Sequence, residues 1–267
     1  MEIVTKLTSD RPRVKAVLFD FDGTISTLRQ GWETVMEPLM LEMIAGPTPV
    51  DEALIQEVRY YIDQSTGIQT YFQMHWLAES VARYGRNPGA SADPWWYKAE
   101  YNRRLMEPVN VRKESIVSGD KSPEEYLIKG SLALLQALRD RGVALYVASG
   151  TDHPDVVAEA DILGVAGYFT EIAGAPLGRA DCSKEAVLRK LIEGRGLAGP
   201  EVAVIGDGKV EIALGREVGA VTLGVASDEE SRRGVNPIKR ERLVKAGAHA
   251  IVGDFSELTD ILAWLGV

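Results

Sequence analysis

The sequence predicts an α/β fold, a mostly parallel sheet with helices on both faces, interrupted by an inserted all-helical segment. Two patterns carry this. Over most of the 267 residues short apolar runs alternate with amphipathic stretches, the order that builds a parallel sheet covered on both sides. One stretch breaks the alternation: between Leu28 and Ser118 stand 5 of the 26 glycines but 4 of the 5 tryptophans and 6 of the 9 tyrosines. Few glycine turns and many rings suit packed helices. The expected division is therefore a core of residues 1–27 and 119–267 around a helical insert of residues 28–118.

The elements follow in order. Val14 to Asp20 (VKAVLFD) is an apolar run ending in acid, a first strand. In the insert, Trp32, Val35, Met36, Leu39, Met40, Met43 and Ile44 recur at the 3.6-residue helical period, with Pro38 as a candidate kink. Further helices are expected at Asp51 to Gln64, Tyr71 to Tyr84 and Pro94 to Met106, separated by Pro47, Pro49 and the Asn87-Pro88-Gly89 turn. Ser122 with Pro123, Glu124 and Glu125 reads as the start of a helix that Arg139, Arg141 and Gly142 close, since this places acid at the positive end and base at the negative end of the dipole. The remaining strands are expected at Val143 to Ala148, Tyr168 to Ala173, Val202 to Ile205, Val221 to Val225 and Ala250 to Val252. Helices near Asp155 to Leu163, Ser183 to Glu193, Lys209 to Val218, Lys239 to Ala246 and Ser256 to Trp264 join or follow them.

Composition limits the partners. The net charge of −9 makes a broad nucleic-acid footprint or an anionic membrane an unsuitable partner. The one cysteine, Cys182, cannot form an intramolecular disulfide or a cysteine-based zinc site and suits a reducing cytoplasm, where an inert small residue is the expected role rather than a redox switch. The first fourteen residues have no apolar signal region, and no apolar run is long enough to span a bilayer. A monomer or small homo-oligomer is expected.

Polar residues just past the strand ends would meet at one edge of such a sheet, where ligands of these folds bind. They are Asp20 and Asp22, Ser149, Lys184 at the head of a later helix, and Asp207 with Glu211. Carboxylates crowded together repel one another unless a cation neutralises them, and a hard divalent ion such as Mg²⁺ takes oxygen ligands. Lysine and hydroxyl donors suit an anionic oxygen group. Together these groups are suited to phosphoryl transfer. Asp20-Phe21-Asp22-Gly23-Thr24 resembles the first motif of the haloacid dehalogenase-like phosphohydrolases. Ser149-Gly150-Thr151, Lys184, and Gly206-Asp207-Gly208 with Glu211 resemble the second, third and fourth, in the family's order.

The resemblance covers the whole core. It implies a Rossmann-like fold, and it places the helical insert where that family carries a type C1 cap. It implies Asp20 as nucleophile forming an aspartyl-phosphate, Asp22 as general acid and then base, and phosphate held by Ser149, the Gly150 amide and Lys184. Mg²⁺ would be held by Asp20, the Asp22 carbonyl and Asp207, with Glu211 reaching it through water; a glutamate there is a variant of the fourth motif. The implied activity is Mg²⁺-dependent hydrolysis of a small phosphorylated metabolite, a sugar phosphate among the candidates. A phosphomutase resembling β-phosphoglucomutase uses the same aspartate pair. A haloacid dehalogenase fits less well because Asp22 would have no task, and a non-catalytic sensor of a phosphorylated ligand would not need the full set.

Other features read differently. Gly194-Arg195-Gly196-Leu197-Ala198-Gly199 matches a dinucleotide-binding string but follows a helix and precedes a strand, the reverse of what that motif requires. It is read as a helix stop and loop. Trp95, Trp96, Tyr97 and Tyr101 could stack on a substrate, although amphipathic helices bury such rings routinely. Arg29 is a candidate contact for a second anionic group, and His75 and His153 are candidate substrate contacts or ordinary structural histidines.

Overall fold

The computed structural model describes residues 1–7, 13–180, 184–197 and 199–267, so Cys182 and Ser183 lie outside the described residues. Among these, one sheet is formed by β1 (Glu2–Ile3), β2 (Ala16–Phe19), β3 (Ala144–Asp152), β4 (Glu171–Ala175), β5 (Val202–Gly206), β6 (Val221–Val225) and β7 (Ala250–Val252). The strand order is β1-β7-β6-β5-β2-β3-β4, parallel throughout except for the β1–β7 edge pair. β1 was not anticipated; two residues give no readable alternation.

Helices cover both faces: α5 (Ser131–Asp140), α6 (His153–Ile162), α7 (Lys184–Arg195), α8 (Lys209–Glu217), α9 (Pro237–Lys245) and α10 (Leu258–Leu265). In β2, Val17 and Phe19 pack with Leu134, Val156 and Ile261 of α5, α6 and α10. Ala16 and Leu18 turn to the other face, against Leu188 and Leu191 of α7. A strand buried on both faces is apolar at every position, which is why this one reads as an unbroken AVLF.

Residues between β2 and β3 form α1 (Trp32–Ala45), α2 (Glu52–Gln64), α3 (Thr70–Tyr84) and α4 (Pro94–Val117). These four helices enclose a hydrophobic cluster of their own. It includes Met36, Met40 and Ile44 of α1, Leu54 and Val58 of α2, Met74 and Leu77 of α3, and Tyr97, Leu105 and Val109 of α4. The apolar spacing noted in α1 is thus the stripe it buries, and the helix continues through Pro38 as one element.

Three expectations are corrected. α4 runs past Met106 and Pro108 to Val117; Val109 remains in the cluster, and Arg112 Nη1 donates to the carbonyls of Leu28 (2.6 Å) and Gln30 (2.9 Å), tying the helix end to the chain entering the lobe. The helix expected from Ser122 is a single 3₁₀ turn, Pro123–Tyr126, and α5 begins separately at Ser131. Ser122 does form a capping box with Glu125. The helix stops because the Thr27 amide donates to Tyr126 O (2.8 Å) and the Ile128 amide to Ile25 O (2.9 Å), pulling the segment into extended pairing. Finally, Tyr168 belongs to a 3₁₀ turn, and β4 starts at Glu171.

Of the described residues, no helix is long and apolar enough to cross a membrane. Gly196, with φ of 60°, follows the end of α7 at Arg195 and precedes the 3₁₀ turn Gly199–Glu201 before β5, so the glycine string ends a helix as expected.

Candidate active site

Strand register brings the site together. Phe19, the last residue of β2, lies opposite Val147 of β3 and Ile205 of β5. One step past Phe19 is Asp20, and two steps past its partners are Ser149 and Asp207, so three separated positions reach the same sheet edge. Gly23 makes the following turn with φ of 72°, and a Cβ there would lie 2.3 Å from Asp207 Oδ2. Only glycine allows the two loops to approach this closely.

Asp20, Asp22, Ser149, Gly150, Lys184 and Asp207 all line one cavity. Lys184 Nζ donates to Asp20 Oδ1 at 2.8 Å and to Glu211 Oε2 at 3.0 Å. Glu211 sits behind this edge: Oε1 accepts from the Gly208 amide at 2.6 Å, at the start of α8. It therefore fixes both a helix start and the lysine. Asp22 Oδ2 accepts from Thr151 Oγ1 at 2.8 Å and weakly from Ser149 Oγ at 3.4 Å, whereas Asp22 Oδ1 is buried without a hydrogen bond. The Thr151 amide in turn donates to Ser149 Oγ at 3.0 Å.

Burial pushes the Asp20 carboxyl well above its ordinary range; Lys184 opposes this, and Glu211 and Asp207 add to the rise. Burial would also raise Asp207, but the charges of Lys239, Arg242 and Lys184 outweigh it and hold that carboxyl low. Lys184 shows the reverse balance: desolvation favours the neutral amine, and Asp20 and Glu211 overcome it to keep the ammonium.

The sequence reading missed several participants. Lys239 Nζ donates to Asp207 Oδ2 at 2.9 Å and to Glu229 Oε1 at 2.5 Å, and Ser227 Oγ donates to the Gly23 carbonyl at 2.8 Å. Lys239 and Ser227 are about 20 to 30 residues beyond the last motif, with no spacing signal to mark them. Thr151 was quoted only as part of a motif. Arg29 does line the cavity, but it is buried and turned to carboxylates of α6: Nη2 lies 2.7 Å from Glu159 and 3.4 Å from Asp155. Arg29, the candidate contact for a second anionic group, thus lines the cavity while facing carboxylates of the chain itself. His75 is exposed beside Glu79, and His153 Nδ1 accepts from the Gly174 amide at 3.4 Å, a structural contact.

The helical lobe forms the opposite wall with Trp32, Ile68, Thr70, Gln73, Tyr101 and Leu105. Its 65–69 segment presses on the sheet edge: a Cβ on Gly150 would lie 2.8 Å from the Ile68 carbonyl. Of Trp95, Trp96, Tyr97 and Tyr101, the last alone lines the cavity. Tyr97 is enclosed in the lobe, Trp95 packs on Tyr71, and Trp96 is exposed.

A family model described as haloacid dehalogenase-like hydrolase matches residues 14–219. A phosphoglycolate phosphatase of Rhodospirillum rubrum is 26% identical over 252 residues, which cover 94% of this chain and 91% of that protein. A 5'-nucleotidase of Pseudomonas aeruginosa is 25% identical over 226 residues, covering 82% of this chain and 88% of that protein. Among solved structures, a β-phosphoglucomutase of Clostridium difficile superposes with a TM-score of 0.58 at 16% identity, covering 92% of this chain and 93% of that one; this is a likeness of fold.

Proposed function

The chain belongs to the haloacid dehalogenase-like hydrolase family, and from that premise we propose that it is a Mg²⁺-dependent phosphomonoesterase acting on a small phosphorylated metabolite. The observation that carries the reading is the grouping of Asp20, Asp22, Lys184 and Asp207 around one cavity at the sheet edge. Relatives named as a phosphoglycolate phosphatase and a 5'-nucleotidase support phosphate ester hydrolysis.

The donor set fits a hard divalent cation. Asp20, Asp207 and Glu211 are buried and offer carboxylate oxygens within 4.8 Å of one another. Lys184 and Lys239 engage Asp20 Oδ1 and Asp207 Oδ2, and among the described residues Asp20 Oδ2 and Asp207 Oδ1 meet no protein donor. Asp20, the Asp22 carbonyl and Asp207 would hold Mg²⁺, with Glu211 behind them. When bound, the ion would offset the carboxylate charge and polarise the phosphoryl group.

The chain's own groups take the remaining tasks. Asp20 attacks phosphorus and forms an aspartyl-phosphate as the ester oxygen departs. Asp22, held by Thr151, protonates that oxygen and then takes the proton of the water that attacks the intermediate. Ser149 and the Gly150 amide orient the phosphoryl oxygens, and Lys184 balances the charge they share with Asp20. The helical lobe, for which we keep the bounds 28–118, acts as the cap that excludes water and selects the alcohol.

The test is phosphate release from p-nitrophenyl phosphate with and without Mg²⁺. Asp20→Asn should lower kcat about a thousandfold or more; an unchanged rate would overturn the mechanism. Inorganic phosphate as product, with no isomerised ester from hexose phosphates and a bisphosphate primer, separates hydrolysis from a mutase.

A further inference from the structure

We propose that the alcohol end of the cavity takes a neutral, hydroxyl-bearing leaving group, that of a sugar or polyol phosphate, and turns away esters whose alcohol carries a carboxylate. This rests on the phosphomonoesterase reading and narrows its substrate.

Among the described residues of the helical lobe, Arg29 is the cation that lines the cavity, and it already faces carboxylates of the chain. Nη2 lies 2.7 Å from Glu159 and Nε donates to the same carboxylate at 3.1 Å, with Asp155 at 3.4 Å and Asp22 at 3.9 Å. One guanidinium thus faces three carboxylates. A carboxylate-bearing substrate approaching this guanidinium would meet three carboxylates set against one cation and would stand beside Asp22. The added anion would be repelled by carboxylates that outnumber the cation in a largely buried setting.

The rest of the wall is suited to hydroxyls. Tyr101 is 4% exposed and near enough to Asp22 and Arg29 to feel both charges, and among the described residues its hydroxyl meets no hydrogen-bond partner. A phenol can donate to or accept from a substrate hydroxyl. Thr70 adds another uncharged polar group, and Trp32 and Leu105 offer apolar surface to a carbon skeleton. At the rim, Glu229 uses Oε1 to accept from Lys239 and keeps Oε2 as an acceptor. That oxygen favours a hydroxyl and repels an anion. Selectivity therefore arises from both fit and repulsion.

The experiment measures kcat/KM in Mg²⁺ for the matched pair glycerol 3-phosphate and 3-phosphoglycerate, which differ by one carboxylate. Glucose 6-phosphate, ribose 5-phosphate and phosphoglycolate extend it, and p-nitrophenyl phosphate serves as reference. The neutral member should be preferred by about tenfold or more. Glu159→Gln, which releases Arg29 from its partner, should narrow that ratio several-fold by raising the rate on 3-phosphoglycerate relative to p-nitrophenyl phosphate. Tyr101→Phe, a change of one hydroxyl that tests the site if the first variant does not fold, should narrow it by raising KM for the neutral esters. An enzyme that hydrolyses p-nitrophenyl phosphate but favours phosphoglycolate or 3-phosphoglycerate overturns this inference and leaves the phosphomonoesterase standing. One that hydrolyses no ester overturns both.

Discussion

The floor of the cavity carries the carboxylates of Asp20 and Asp207, paired with the ammonium groups of Lys184 and Lys239 and flanked by Glu211 behind and Glu229 at the rim, whereas the wall opposite presents Trp32, Thr70, Tyr101 and Leu105. The floor is built at strand ends and helix starts, where sheet register fixes each position and every charge has a partner. The wall is built on helix sides, where the side chain that faces the cavity depends on how each helix is rotated in its bundle. Dense paired charge suits one reaction held in one geometry. A wall of separate, mostly uncharged contacts is where a choice of alcohol can be made without disturbing that geometry.

Disturbing the floor should have the largest effect. Lys184→Met removes the cation shared by Asp20 and Glu211, and kcat on p-nitrophenyl phosphate should fall about a hundredfold to a thousandfold, the usual loss for one donor to developing charge. KM should move far less. A loss confined to KM would show that the lysine serves the ground state alone, and would blur the distinction between floor and wall.

The joint between the two regions comes next. Lys98 of α4 makes a buried ion pair with Asp152 at the end of β3, and Asn102 Nδ2 donates to the same carboxylate at 3.1 Å. Lys98→Met strands Asp152 and should cost roughly 3 kcal/mol of stability, read from denaturant unfolding. An unchanged midpoint would mean that the lobe and the sheet do not depend on this pair.

The smallest effect lies far from both. His249 packs against Arg216 and Thr222, and burial, with the Arg216 charge, pushes its pKa down to about 4. The unfolded chain takes up a proton on that imidazole as pH falls through about 6.5, while the folded chain does so only near its lowered value. The unfolded state therefore binds more protons in that window, and stability should decline as pH drops from about 6.5 toward 4. His249→Asn should flatten this slope in urea titrations and leave p-nitrophenyl phosphate turnover at neutral pH as it was. A slope that persists assigns it to carboxylates elsewhere.

The same contrast explains what could be read from sequence. Asp20, Ser149 and Asp207 each follow an apolar run, and parallel register must bring such ends together, so their convergence is legible without coordinates. Lys239 and Glu229 were not legible: they come from a loop and helix after β6 whose path is set by tertiary packing, and no motif spacing points to them. Arg29 was legible as a cavity residue but its pairing was not, because its partner Glu159 is 130 residues away and reads as an ordinary helix acid. Tyr97 and Tyr101 share a helix and a residue type; only the rotation of α4 decides that one fills the lobe and the other reaches the cavity. Local signals also overreached, as when a sound capping box at Ser122 opened a single turn rather than a helix, because pairing with residues 25–27 took over.

The central claim is that Asp20 carries the phosphoryl group. Acid quench during turnover, followed by peptide mass mapping, should find phosphoryl mass on the peptide containing Asp20 in the wild type and none in Asp20→Asn. Rapid phosphate release with no phosphorylated peptide, or with the label on another residue, would contradict the account.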